Sequence, residues 1–191
     1  METLTRIRQH PERSAPDEAA QILAVGHVAH VGFELDGQPF ILPFSYHFDP
    51  NQPANLYLHG SRGSRTLQAL TCGARVCVTV TLLDGLVYSR DALHHSMNYR
   101  SVVCFGRAQV IESEEEKQRV FAGMIARYFD GRSAPRDYEA ASPKELAATQ
   151  LLAVKIDEWS AKVRRGPATG PRDHVDEAST QTCGVIHLPQ F

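Results

Sequence analysis

Apolar positions in this chain recur mainly at every second residue, in short runs between turn signals, with helical spacing in a few inserted segments. Residues 27–34 read as strand-like, Asp36-Gly37 is a hairpin turn signal, and 40–48 reads as the return strand. A second turn, Asp49-Pro50-Asn51-Gln52-Pro53, leads into a short strand at 55–59. The run at 75–82 is nearly continuous in apolar and β-branched residues, as expected of a strand covered on both faces or set in a barrel wall. Residues 99–112 give the longest strand expected, with Gly106 marking a bulge or bend, and 151–156 a last one. Helical spacing appears at 18–25, where Asp17 is placed to cap and Gly26 to stop the helix, and at 66–71. It returns after Ser113, whose pairing with Glu116 fits a capping box, through Val120, Met124, Ile125 and Phe129. Residues 130–142 read as a loop and 143–150 as a short helix. No Gly-x-Gly-x-x-Gly opens a helix and strand–helix alternation is not sustained, which disfavours a doubly wound sheet. The pattern predicts a mainly β fold (β+α), a small antiparallel barrel with helices packed outside.

Length and composition narrow the picture. At 191 residues the chain is long enough for one domain with a full core. Residues 1–16 read as a polar arm, 17–165 as the domain and 166–191 as an extended or partly disordered tail. A net charge of −2 argues against nucleic acid or an anionic membrane as the main partner. No apolar run approaches the roughly 18 residues of a membrane span. The N-terminus lacks the apolar core of a secretory signal, so a cytoplasmic location is expected. Cys72, Cys77, Cys104 and Cys183 form no Cys-x-x-Cys pair and read as small buried hydrophobes in a reducing compartment.

Candidate chemistry gathers between residues 56 and 106. The turn Ser61-Arg62-Gly63-Ser64-Arg65-Thr66 offers two guanidinium forks and several hydroxyls at a helix start, a set suited to a phosphate; equally, it is a solvated helix cap. No Gly-Lys-Ser/Thr closes it, so it is not a Walker loop. His59 ends the strand entering that turn and is either a packed residue or a catalytic one. His95, Ser96 and Asn98 stand in a polar loop and either line a pocket or brace a turn. Ser45 and Tyr46 reach the same pocket if their strand neighbours residues 55–59. Asp84-Gly85 is a turn signal. His94-His95 has no second ligand cluster at zinc spacing, and no nucleophile elbow or carboxylate pair stands out, so neither metal nor hydrolytic chemistry is indicated.

The blocks LPFSY (42–46), LYLHGSRGSR (56–65), VCVTVTLLDGLVYSR (76–90) and HHSMNYRSVVCFGRA (94–108) resemble the flavin-binding proteins of the pyridoxamine 5′-phosphate oxidase-like superfamily, in the branch that contains nitroimidazole-reductase-like proteins. The resemblance covers residues 18 to 165. It implies a split β-barrel homodimer with FMN at the subunit interface, acting as a flavin-dependent oxidoreductase on a small organic substrate. By motif position, Ser64 and Arg65 match the phosphate-binding turn, Thr66 stands where the oxidases carry Lys, and Arg62 is placed to compensate. Pro43, Phe44, Ser45 and Tyr46 match the strand flanking the flavin ring, and Leu58 and His59 the pair that follows. Ser101, after Arg100, falls where the oxidases carry a flavin-contacting Gln, with His95 and Asn98 in the adjoining loop. His59 and His95 are the candidates for proton transfer. Trp159, Lys162 and Arg164 resemble the oxidases' terminal Trp and Arg at a different spacing, so their substrate-phosphate ligands have no counterpart assigned. Two alternatives stand beside this: a non-catalytic flavin carrier or sensor, and a haem-binding split-barrel protein with a ligand among His59, His94 and His95.

Overall fold

The computed structural model describes residues 5–174 and 180–189. Asp36 and Gly37 both take positive φ (54° and 78°), the backbone that a two-residue hairpin turn demands, and they join β1 (Ala29–Leu35) to β2 (Gln38–Phe44). The expected return strand then divides. Ser45 breaks it, and β3 (Tyr46–Phe48) pairs not with β1 but with β4 (Asn55–Ser61). β5 (Arg75–Tyr88) and β6 (Ser96–Ile111) form the long central pair, and β7 (Thr149–Arg164) lies between β6 and β4.

The strand order is β2-β1-β5-β6-β7-β4-β3, all neighbours antiparallel, with β8 (Gly184–His187) on the free half of β5's other edge. β2 and β3 stand at opposite ends of that order yet are separated in the chain by Ser45 alone. The sheet therefore has to curl until its ends meet there, which is a split barrel.

Two bulges permit the curl. One extra residue on β7, Asp157, falls between the partners of Phe105 and Gly106. A Cβ on Gly106 would overlap the Lys155 carbonyl, so this crossing needs glycine. On β5 the extra residue is Asp84: the Asp84-Gly85 pair is a bulge rather than the expected turn, and the strand runs on to Tyr88. β7 likewise exceeds its expected length, because residues 158–164 pair with the first half of β6.

The barrel core includes Leu56, Leu58, Val78, Val102 and Val154, with Ile22 and Leu23 of α1 (Ala19–Val25) closing one side. Asp17 does not cap α1; residues Pro16–Glu18 form a 3-10 turn leading into it. Of the cysteines, only Cys104 is fully buried, its thiol pushed up to about 12 by burial, while Cys72 is exposed; all four are free. Outside the barrel, α3 (Glu114–Tyr128) crosses β3, β4 and β7 over a second cluster of Tyr57, Val120, Met124, Leu151 and Ala153. Ser113 caps it through Glu116 N, and the reciprocal capping box occurs instead at Ser142 and Glu145, opening α4 (Pro143–Ala148). α2 (Arg65–Leu70) follows β4. No helix among the described residues is long and apolar enough to cross a membrane.

Candidate functional site

β4 alternates strictly. Leu56 and Leu58 point into the barrel, which leaves Tyr57 and His59 on the face that α3 covers. The β3–β4 register opposes Tyr46 to Leu58, which sets Ser45 beside His59. Ser45 and His59 therefore share one apolar cavity of about 560 Å³, walled by Phe121, Met124, Ile125, Tyr128 and Phe129 of α3 and its end. A second opening of about 480 Å³ continues past Phe121 toward Tyr138 and Thr149, and His59 lines it too. The imidazole packs edge-on against Phe121 with ring centroids 5.5 Å apart. Its Nδ1 is buried with no hydrogen-bond partner, and burial holds its pKa below the usual histidine value. His59 is thus a neutral imidazole with an unused polar atom inside a largely apolar cleft.

α3 is held over that cleft by Arg127. The guanidinium donates to the carbonyls of Leu23 (2.9 Å) and Ala24 (3.1 Å) and to those of Gly26 and Tyr46, while stacking 4.0 Å above the Tyr46 ring. These carbonyls include the open C-terminal end of α1, so Arg127 joins α1, β3 and α3 in one contact. Gly123 lets the helix sit close: a Cβ there would lie 2.6 Å from His47 Cε1. His47, 8% exposed, is a second histidine under α3 with an unpartnered Nδ1 and a pKa lowered, chiefly by burial.

The turn after β4 begins two residues from His59. Ser61 Oγ accepts from Gly63 N (3.2 Å) and Ser64 Oγ from Leu67 N (3.4 Å), so both hydroxyls shape the turn and cap α2. Arg62 does not stand ready beside Arg65; it is paired with Glu112 at 2.6 Å. Arg65 is exposed, with no partner among the described residues, and with Thr66 it lines a smaller pocket of about 250 Å³ against Phe33, Leu35, Phe40 and Leu42 of the β1–β2 hairpin. Pro43 is exposed and Phe44 half-buried at the end of β2.

Two of the residues expected beside the flavin ring turn their side chains inward. Tyr46 and Leu58 have no exposed surface, and their side chains belong to the barrel core. The Tyr46 hydroxyl donates to Leu23 O at 2.7 Å, and burial pushes its pKa up to about 12.

The remaining expected residues lie elsewhere. Ser101 pairs with Thr81 and Lys162 near the start of β6, whereas Ser61 pairs with Thr149, beside the end of β6 at Ile111. Ten residues of strand separate Ser101 from Ile111, about 33 Å at the usual rise. Arg100 is bound in a fork by Asp84 (3.0 and 2.7 Å), an aim that the β5 bulge supplies, and borders an open cavity of about 840 Å³ with His27, His30, Thr81 and Leu82. Ser101 Oγ donates to Lys162 O at 3.2 Å. Asn98 is buried, donating to Gly166 O (3.0 Å) and accepting from Arg164 (2.5 Å); it braces structure rather than lining a pocket. His95 is exposed.

A single chain therefore sets Ser45 and His59 in one cavity and the 61–66 turn next along the chain, and holds His95, Asn98, Arg100 and Ser101 apart from them. Sequence reasoning missed the α3 wall: its stripe was visible, but which side would remain half-uncovered was not. Among the described residues, no group of three or more His, Cys, Asp or Glu is placed to hold a metal.

Comparison with known proteins agrees with this architecture. The chain is 33% identical to the FAD and haem binding protein from Mycobacterium smegmatis (92% of this chain, 84% of that one, TM-score 0.81). It is 32% identical to the flavocytochrome Anf3 from Azotobacter vinelandii (98% and 85%, TM-score 0.84). A protein described as a 5-nitroimidazole antibiotic resistance protein, from Bacteroides thetaiotaomicron, shares the fold at 23% identity (78% and 84%, TM-score 0.65). No curated protein matches the chain. Residues 15–163 match the model of the pyridoxamine 5′-phosphate oxidase family, which spans the barrel from α1 to the end of β7, and the chain belongs to that family.

Proposed function

We propose that this protein is a flavin-dependent oxidoreductase, working as a homodimer on a small organic substrate with FMN or FAD at the subunit interface. The observation that carries this reading is the division of the site. Arg65 and Thr66 offer an unengaged guanidinium and a hydroxyl at one end of the barrel, while Arg100 and Ser101 stand at the other. A two-fold partner would bring the second set against the first, completing around one flavin what a single chain leaves apart. The residues fit the group: guanidinium and hydroxyl suit its phosphate, and the apolar cleft beside the turn suits a ring system. The relatives from M. smegmatis and A. vinelandii, a FAD-binding protein and a flavocytochrome, support flavin as the ligand.

When bound, the flavin supplies the electron-transfer chemistry. The chain's own residues do the rest. Arg65 and Thr66 anchor the phosphate. Phe121, Ile125, Tyr128 and Phe129 exclude water from the space above His59. His59, neutral because it is buried, exchanges a proton with substrate at a ring nitrogen.

Mixing an Arg65→Ala chain with an Arg100→Ala chain tests the shared site. Each variant alone should bind flavin about tenfold or more weakly than the unaltered protein. Random reassortment should restore about a quarter of the sites, because half of the dimers then hold one undamaged site. No recovery on mixing would contradict a site built from two chains.

A second reading rests on a specific feature. The unpartnered His59 nitrogen in an apolar cleft could also hold the iron of a haem, and both relatives are haem proteins by name, one a flavocytochrome. Haemin added to the apoprotein should then give a sharp Soret band that His59→Ala abolishes; an unchanged band in that variant would remove His59 from the role.

A further inference from the structure

Arg164 closes β7 and is 8% exposed. Its guanidinium donates to Asn98 Oδ1 (2.5 Å) and to the Pro167 carbonyl (3.1 Å), both neutral acceptors. No carboxylate among the described residues pairs with it. Burial, and after it the neighbouring cation Arg13, pushes the Arg164 pKa down. A buried cation that lies near a second cation and has no ion-pair partner of its own is costly, and folded proteins usually pair such charges.

Arg164 opens onto a cavity of about 530 Å³ between the N-terminal segment 12–18, the end of β7 and residues 167–169. Arg13, Arg165, Ser14 and Thr169 also line it, as do Glu12 and Glu18. Both carboxylates are engaged: Glu18 holds Arg165 in a fork (2.9 and 2.6 Å), and Glu12 lies 3.0 Å from His10 and 3.7 Å from Arg13. Among the described residues that line the cavity, Arg164 is the cation with no carboxylate partner.

We propose that this cavity is an anion site that takes the phosphate group of a ligand between Arg164 and Arg13. Two guanidinium groups that line one cavity, with Ser14 and Thr169 in the same lining, suit a tetrahedral oxyanion. The site is separate from the 61–66 turn, which lies at the other end of the β6–β7 pair. The phosphate belongs either to a flavin or to a separate substrate, and one experiment tells these apart.

The probe is inorganic pyrophosphate, titrated calorimetrically at low ionic strength into the full chain carrying Arg65→Ala, which removes the turn as a competing site. This protein should bind pyrophosphate, and adding Arg13→Ala should weaken binding at least tenfold. Arg164→Gln should do the same; because Arg164 is buried and braces Asn98, the more exposed Arg13 carries the test should the Arg164 variant fail to fold. Absence of binding in the Arg65→Ala protein, or binding unaffected by Arg13→Ala, overturns the proposal. Titrating FMN and FAD into Arg13→Ala alone then identifies the source. A tenfold loss for FAD with FMN unchanged assigns the site to the second phosphate of FAD, and unchanged affinity for both assigns it to a separate phosphate-bearing ligand. The pyrophosphate result stands whether or not the protein binds flavin.

Discussion

His47 and His59 lie under the same helix, each with an unpartnered Nδ1 and each kept neutral by burial. Their folded pKa values lie below the unfolded value near 6.5, so in that window the unfolded chain binds more protons than the folded one. The stability they leave intact is full above the unfolded pKa and is lost as pH falls below it. Urea midpoints should accordingly drop between pH 7.5 and pH 5.5, and drop less in a His47→Gln/His59→Gln double variant. An equal drop in both proteins would mean that neither histidine contributes. Arg65 and Arg62 make a contrasting pair. Arg65 is unengaged and Arg62 is spent on Glu112, so Arg65→Ala should weaken flavin binding about tenfold or more, the worth of one charge-assisted bond, while Arg62→Ala changes it less than threefold. Fluorescence titration measures both. Sequence placed the two arginines in one turn but could not distribute them, because Glu112 lies fifty residues away in sequence.

Among the elements, α3 and the bulges carry the consequences. Arg127 satisfies carbonyls at the end of α1 and stacks on Tyr46, so Arg127→Ala should cost about 3 kcal/mol in denaturant unfolding, with Lys recovering only part of it because an ammonium cannot reproduce the fork. Gly106→Ala should be at least as damaging, since its Cβ meets backbone rather than a movable side chain. The hairpin at Asp36-Gly37 and the bulge at Gly106 were legible in sequence because each is local: a positive φ or a missing side chain announces itself in one or two residues. The split of the 40–48 run at Ser45 was not. It depends on β3 finding β4 rather than β1, and that long-range register also turns Tyr46 and Leu58 into the core. The second half of β7 was hidden for a similar reason, since Asp157, Glu158, Lys162 and Arg164 read as polar until β6 is seen beside them.

At the scale of the whole molecule, the barrel closes at Ser45, and the residues expected to hold the flavin fall at its two ends. The family and the barrel were readable from the motif blocks; the separation was not, because motifs give order along a chain and not distance across a sheet. That separation is what makes a second copy of the chain part of the proposed site. Light scattering should give twice the chain mass with flavin bound, and the central claim rests on the flavin itself. The measurement to make first is the absorption spectrum of the purified protein after equilibration with FMN or FAD and removal of unbound ligand, alongside Arg65→Ala treated identically. The account predicts a retained two-banded flavin spectrum that the variant has largely lost. A wild-type protein that retains neither flavin would contradict it, leaving the split barrel without the ligand proposed for it.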